Sequence, residues 1–334
     1  MQEKAQLYLH IGHPKAGSTT LQSFLFKNFA LLNQEGFALP TAKLETVSEG
    51  KMPGNPLLAL QRIQKSNDIT PLRQWIIEAG QSHRKLILSS ECLFLWNWHK
   101  LFMHLTDLID IHLFYYVRRQ DELMLSAWRQ WNLKSGQSLE DFIDNRLLKQ
   151  QPNFWSNIAP WRNKVGLASL HVRFIAPDFL TGGDILQDFA SQIKIDFSNT
   201  HPVENQNTSI DARLMLFMNK HPEMFNSSHD DRVFSLLSST IVDPKETKHL
   251  TLTQSQFDRI YGTFEENNQA FLKKFHPEAH GTPVIDPTNA RIEKCPTPIT
   301  ELEQEEFVRQ RLLDLGKHPD PRIQALRSML NMSN

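Results

Sequence analysis

The chain lacks the features that mark several large classes of protein. Its 334 residues include two cysteines, Cys92 and Cys295, which are too few for a disulfide framework or a cysteine metal site. No apolar run reaches the length of about 18 residues that a membrane-spanning helix needs. Lys and Arg number 36 against 37 Asp and Glu, so the formal net charge is -1. Because no overall field attracts nucleic acid or an anionic membrane, any anion site must be local.

The composition is that of an ordinary globular protein. Apolar residues make up 40% of the chain and charged residues 22%. The length suits one large α/β domain, or a domain of roughly 200 to 250 residues with an appendage. Residues 1–6 carry neither the basic start nor the apolar core of a signal peptide. We therefore expect a cytoplasmic protein with no membrane anchor and no nucleic-acid partner; no pattern specifies an oligomeric state.

The most informative pattern lies at residues 7–21, LYLHIGHPKAGSTTL. An apolar strand runs into a short turn that carries Gly12 and Gly17, and a helix follows. Such a loop lets backbone N–H groups converge on an anion, and the first turn of the helix adds further N–H groups and a positive dipole end. The pattern predicts a phosphate-binding loop.

Lys15 distinguishes this loop from the common nucleotide-binding loop. In a Walker A sequence the lysine directly follows the second glycine, and a hydroxyl residue beside it holds magnesium. Here Ser18 takes that position and Lys15 lies inside the loop. Residues 14–20 resemble instead the 5′-phosphosulfate loop, P-K-x-G-[ST]-[ST], of sulfotransferases that use 3′-phosphoadenosine 5′-phosphosulfate (PAPS). The alternative is a glycine-bearing turn that binds nothing.

The remaining apolar segments predict a parallel sheet. Strands are expected at 85–91, 111–117 and 169–175, each separated from the next by helical stretches, which is typical of an α/β fold with ligands at the carboxyl ends of the strands. The resemblance implies a three-layer sheet like that of the P-loop NTPases. After a polar connector at 201–209 the pattern becomes helical. We therefore expect a core over 1–220 and a helical C-terminal extension over 221–334.

Arg118 and Ser126 form a second motif. Arg118 follows the strand at 111–117, and Ser126 comes eight residues later on the next helix. An arginine and a hydroxyl so placed can hold one phosphate together. The pair resembles the R-x7-S pattern with which sulfotransferases bind the 3′-phosphate of PAPS, although Arg119-Gln120 replaces the Asn-Pro that often follows the arginine. By itself, an Arg-Ser pair at this spacing is more often a solvated helix start.

Glu91 is the candidate general base. It ends the predicted strand at 85–91, at the sheet edge that also carries the first loop, and a partly buried carboxylate there could accept a proton from an acceptor. LSSE at 88–91 resembles the sulfotransferases that use glutamate for this step. A glutamate placed near a helix start by the helix dipole is the alternative. The rival bases are four histidines: His10, His13, His99 and His104.

The resemblance, which covers roughly residues 7–220, implies a PAPS-dependent sulfotransferase that releases adenosine 3′,5′-bisphosphate. Lys15 and Glu91 would be the catalytic residues, and a carbohydrate would be the acceptor. Donor binding would involve Lys15, Ala16, Gly17, Ser18, Thr19, Thr20, Arg118 and Ser126. No metal is expected. The alternatives are a P-loop kinase or nucleotide hydrolase, and a non-catalytic anion-binding module.

Overall fold

The computed structural model describes residues 4–13, 15–47, 51–91, 93–95, 97–203, 210–241, 247–277, 292–293 and 299–332. Of the segments considered above, Pro14, Cys92, Cys295 and residues 204–209 lie outside the described residues. The helices and strands, in chain order, are β1 (Ala5–His10), α1 (Ser18–Lys27), α2 (Phe29–Gln34), β2 (Phe37–Ala38), α3 (Leu57–Ser66), α4 (Thr70–Ser82), β3 (Lys85–Ser89), α5 (His99–Phe102), β4 (Ile109–Val117), α6 (Gln120–Ala127), α7 (Leu139–Leu148), α8 (Phe154–Lys164), β5 (Ser169–Phe174), α9 (Ile185–Gln192), α10 (Ala212–Asn219), α11 (Arg232–Ser238), β6 (Leu252–Thr253), α12 (Gln254–Phe275), β7 (Ile292–Glu293), α13 (Glu301–Leu315) and α14 (Pro321–Met329).

The chain forms two compact units that alternate along the sequence. Unit 1 comprises Met1–Arg119, Asn153–Asn205 and Asn267–Thr282; unit 2 comprises Gln120–Pro152, Gln206–Glu266 and Pro283–Asn334. The sequence predicts a single division near residue 220, whereas each unit draws on three separate segments of the chain.

Unit 1 contains a five-stranded, all-parallel sheet with the order β2-β3-β1-β4-β5. Strand β1 is central because it pairs with β3 on one side and with β4 on the other, with His10 opposite Ser89 and Phe114. The predicted α/β fold with a parallel sheet is confirmed. The sequence analysis missed β2, which has two residues and is too short to show a strand period.

Helices cover both faces of this sheet. On one face Phe114 and Tyr116 pack with apolar residues of α1 and α9, including Phe24 and Phe189, in a shared core. On the other face Phe174 contacts Phe154 of α8, with ring centroids 6.4 Å apart. This alternation follows from the strand period, which sends successive side chains to opposite faces. The result is a three-layer arrangement of helices, sheet and helices.

Unit 2 is mainly helical. Its core joins buried side chains of α6, α7, α10, α11, α13 and α14 with Ile260 and Phe264 of α12. Strands β6 and β7 pair in parallel as a small separate sheet. The helices expected after residue 209 are present at 212–219, 232–238, 254–275, 301–315 and 321–329. In the part of the chain that the structure describes, no helix combines the length and the apolar character needed to cross a bilayer.

Replacement of Phe189 by alanine tests the core beneath the sheet. Phe189 is fully buried and meets the ring of Phe114 at a centroid distance of 5.1 Å. We expect the free energy of unfolding, measured by urea denaturation, to fall by about 3–5 kcal/mol, because the change removes a packed ring and leaves a cavity. Leu58→Ala, at a side chain that is 67% exposed in the same unit, is the control and should change it by less than about 0.5 kcal/mol. A loss below about 1 kcal/mol for Phe189→Ala would contradict this packing.

Candidate functional site

The loop that follows β1 is held against β4. The N–H of Ile11 donates to the carbonyl oxygen of Phe114 at 3.1 Å, which continues the strand pairing by one residue. Beyond it, the N–H of Ala16 donates to the carbonyl oxygen of His13 at 3.1 Å and closes a tight turn. The loop therefore leaves the carboxyl end of the central strand and folds back into α1.

Two residues of the turn adopt the left-handed backbone conformation. Lys15 has φ 62° and Gly17 has φ 75°. A Cβ at Gly17 would lie 2.7 Å from Cδ1 of Ile185 on α9, so a side chain there is both strained and crowded. Non-glycine residues in this conformation are uncommon and concentrate at functional sites. The loop thus holds Lys15 in an energetically unfavourable backbone conformation, two residues before a position where only glycine fits well.

Helix α1 begins at Ser18 with an uncompensated positive end. The N–H groups of Ser18, Thr19 and Thr20 have no acceptor within the helix, and its first turn carries no acidic side chain. The helix dipole adds a partial positive charge at this end. Thr19 is exposed and Thr20 is half-buried, so the start of α1 is accessible to an anion.

Ser18 serves the loop itself. Its side chain is buried, and its hydroxyl donates to the carbonyl oxygen of His13 at 3.1 Å. A Cβ at Gly12 would lie 2.2 Å from the Ser18 Oγ and 3.0 Å from Cε1 of His10, so only glycine fits there. The sequence predicts that the Ser18 hydroxyl binds the ligand. With its proton donated to His13, the donor that Ser18 offers an anion is its backbone N–H.

Arg118 directly follows β4, which pairs with the central strand β1. Its Nη1 donates to the carbonyl oxygen of Lys15 at 3.4 Å. The chain leaves β1 toward β2, at one edge of the sheet, and leaves β4 toward β5, at the other edge. Connections that diverge in this way open a crevice between the carboxyl ends of the two strands, which is where open parallel sheets bind ligands. The structure therefore brings Lys15 and Arg118 together at this position.

Glu91 comes two residues after β3, which pairs with the central strand on the side opposite β4. The N–H of Ser90 donates to the carbonyl oxygen of His10 at 3.1 Å, which ties the segment before Glu91 to the central strand. Glu91 itself is half-buried in a turn. The next helix, α5, begins at His99, so Glu91 does not occupy a helix start. Glu91 therefore follows a segment that is bonded to the central strand, and its role as a base stays a prediction.

Of the rival bases, three are buried. The ring of His10 is fully enclosed, and burial lowers its pKa to about 3. His13 stacks on Phe94 with ring centroids 4.3 Å apart and is 4% exposed. His99 is also buried, and burial lowers its pKa. His104 is the exposed member of the four.

Ser126 belongs to a different unit from the other candidate residues. It is half-buried on α6, which belongs to unit 2, whereas Arg118 belongs to unit 1. The joint grip of Arg118 and Ser126 on one phosphate stays a prediction. For metals, the described residues contain no group of three or more His, Cys, Asp or Glu side chains that could hold an ion.

The sequence analysis missed Asn55. Its Oδ1 accepts a hydrogen bond from the hydroxyl of Ser90 at 2.9 Å, so it contacts the residue before Glu91. Residues 51–56 have no helix or strand assignment, and they lead into α3. The sole signal in the sequence was an Asn-Pro pair at 55–56, which indicates a turn but not a partner 35 residues away.

No protein-family model, no curated protein and no solved structure matches this chain.

The buried imidazole of His10 predicts a specific dependence of stability on pH. Its folded-state pKa, about 3, lies below the ordinary value of 6.5 because burial disfavours the charged ring. The unfolded chain therefore binds the proton more readily, and the stability that His10 contributes above pH 6.5 is lost as the pH falls toward 3. His10→Gln cannot titrate. Between pH 6 and 4, the free energy of unfolding of the parent should fall relative to His10→Gln by about 1.4 kcal/mol per pH unit. Parallel curves for the two proteins would contradict the assignment.

Proposed function

We propose that this chain is a sulfotransferase that moves the sulfuryl group of PAPS to a hydroxyl or amine acceptor. The observation that carries the proposal is the loop that joins β1 to α1, with Lys15 inside it and Arg118 bonded to the Lys15 carbonyl oxygen. The Arg118 guanidinium and the backbone of Lys15 thus meet beside a helix start, at the point where the topology of the parallel sheet opens a crevice. This donor set suits a ligand with more than one anionic group.

The start of α1 would bind the 5′-phosphosulfate. The backbone N–H groups of residues 17–20 and the hydroxyls of Thr19 and Thr20 supply donors. The N–H of Ala16, which the sequence also assigns to the donor site, is already bonded to the carbonyl oxygen of His13. Lys15 supplies a full positive charge. In this role Lys15 replaces the lysine that a Walker A loop places after its second glycine. The placement favours phosphosulfate over a magnesium nucleotide, because Lys15 is followed by Ala16, which has no hydroxyl to hold the metal.

Arg118 would bind the 3′-phosphate that distinguishes PAPS from ATP. A guanidinium can donate two parallel bonds to a phosphate, and the end of β4 places Arg118 beside the loop. Since Arg118 also donates to the Lys15 carbonyl oxygen, it would join the two phosphate sites of the donor.

The transfer itself would be an in-line displacement. The acceptor oxygen or nitrogen forms a bond to sulfur while the bond from sulfur to the bridging oxygen breaks, and the electron pair of that bond stays on the 5′-phosphate. Glu91 takes the acceptor's proton. Lys15 and the loop amides stabilise the charge that develops on the bridging oxygen, so the step does not depend on magnesium.

The acceptor class rests on the resemblance alone. Glutamate as base occurs in sulfotransferases that modify glycans and tyrosine side chains, and a carbohydrate is the acceptor we propose. Two further functions were open from the sequence: a P-loop kinase or nucleotide hydrolase, and a non-catalytic anion-binding module.

Glu91→Gln separates binding from chemistry. With 35S-labelled PAPS and a panel of glycans, we expect the variant to lose about 10²- to 10⁴-fold in kcat, because the amide cannot take up the proton. Its affinity for adenosine 3′,5′-bisphosphate, measured by calorimetry, should stay within about twofold, since Glu91 is not one of the proposed phosphate contacts. Lys15→Ala should lose about 10²- to 10³-fold in kcat through the unstabilised bridging oxygen.

Glu35→Gln, at an exposed carboxylate of the same unit, is the matched control and should behave as the parent. The proposal is wrong if the parent neither turns over any acceptor nor binds the bisphosphate. Magnesium-dependent hydrolysis of ATP or GTP would favour the kinase or hydrolase. Binding of the bisphosphate without transfer to any acceptor would favour the anion-binding module.

A further inference from the structure

Asn55 connects three segments of unit 1 through its side chain. Its Oδ1 accepts hydrogen bonds from the Ser90 hydroxyl at 2.9 Å and from the Leu57 N–H at 3.0 Å. Its Nδ2 donates to the Oε1 of Gln22 at 3.4 Å. Asn55 thereby joins the end of β3, the start of α3 and the second turn of α1.

The bond to Ser90 determines how Glu91 is presented. Ser90 is fully buried, and its N–H is already bonded to the carbonyl oxygen of His10 at 3.1 Å. The bond from its hydroxyl to Asn55 fixes the side chain as well. Because Glu91 is the next residue, its backbone follows directly from a residue whose N–H and hydroxyl are both hydrogen-bonded. A buried hydroxyl that lost this acceptor would be left without a partner, and this segment would loosen.

The bond to Gln22 reaches the helix that would carry the anion. Gln22 lies one turn after Ser18, on the helix whose first turn faces the proposed phosphosulfate. The Nε2 of Gln22 is buried and has no hydrogen-bond partner among the described residues. Within that part of the chain, the bond from Asn55 is therefore the one hydrogen bond of the Gln22 side-chain amide. Movement at the start of α1 would therefore act on Asn55.

We propose that Asn55 is a positioning residue that holds Glu91 in register with the start of α1. The inference depends on the proposed function, because it assigns to Asn55 the task of aligning the base with the bound donor. Asn55 need not touch the donor or the acceptor. Its contribution is orientation, which matters because small displacements of a base from its target lower the rate while binding is preserved.

Three variants test this role: Asn55→Ala, Asn55→Asp and the control Asn199→Ala. Asn199 is exposed in the same unit, and its amide bonds to Asp196 of its own turn. In Asn55→Ala, kcat for sulfuryl transfer should fall about tenfold, while KM for PAPS and affinity for adenosine 3′,5′-bisphosphate stay within about twofold. Asn199→Ala should match the parent in all three quantities.

Asn55→Asp supplies a readout that a purely structural role would not move. Aspartate keeps an acceptor for Ser90 and Leu57, and it can accept from the Gln22 Nε2 once that amide reverses, so kcat at high pH should return to within about threefold of the parent. It also adds a negative charge to the side chain that is bonded to Ser90, the residue before Glu91, and a nearby negative charge disfavours an ionised carboxylate. The acidic limb of the pH–kcat profile should therefore move upward by about half a pH unit in Asn55→Asp and stay in place in Asn55→Ala.

Amide hydrogen exchange gives a second test that needs no acceptor. In Asn55→Ala, exchange across residues 86–91 should quicken about tenfold, with residues 109–117 unchanged and bisphosphate affinity retained. An unaltered kcat, or unaltered exchange at 86–91, in a variant that binds the bisphosphate overturns the inference and leaves the proposed function standing. A parent that binds no bisphosphate and transfers no sulfate overturns the proposed function instead, and the role of Asn55 as a positioning residue with it.

Discussion

The turn at Gly17 is the constraint on which the rest of the site depends. A left-handed residue at this point, packed against Ile185 of α9, lets the chain reverse within the few residues between β1 and α1. If the turn were wider, α1 would begin elsewhere, and its free N–H groups would not face the carboxyl end of the central strand. The same turn exposes the carbonyl oxygen of Lys15 to Arg118. One backbone conformation thus determines both where α1 begins and which carbonyl oxygen Arg118 contacts.

The central strand transmits this geometry to its neighbours. His10, the last residue of β1, is bonded to Ser89 on β3 through its Nδ1 at 2.8 Å, and its carbonyl oxygen accepts from Ser90. Its ring also lies beneath Gly12, so the floor of the loop and the end of β3 share one buried side chain. Burial keeps that ring neutral, and a neutral ring can fill this space at far lower cost than a charged one. His10 therefore supports the loop from below, and the proposed base is Glu91.

Much of the fold could be predicted because its strands are apolar and its helices periodic. The segments at 85–91, 111–117 and 169–175 contain β3, most of β4 and β5, and the helices expected after 209 are present. The two-residue β2 could not be predicted, since two residues show no period. Nor could the alternation of the two units, because it depends on packing between segments that are distant in sequence.

Within the candidate site, residue types could be predicted but not their partners. The sequence placed Lys15 and Arg118 after two strands, and the structure adds that they meet. It could not show that the Ser18 hydroxyl is directed into the loop, because rotamers follow from packing. Asn55 escaped notice for the same reason.

The most direct test of the central claim is a calorimetric comparison of adenosine 3′,5′-bisphosphate with ADP, each with and without magnesium. A loop with Lys15 inside it and Arg118 beside it should bind the bisphosphate at least about tenfold more tightly than ADP, with no dependence on magnesium, because the 3′-phosphate, which ADP lacks, gains charged hydrogen bonds from Arg118. Equal affinity for the two nucleotides, or tighter binding of ADP in the presence of magnesium, would contradict the account.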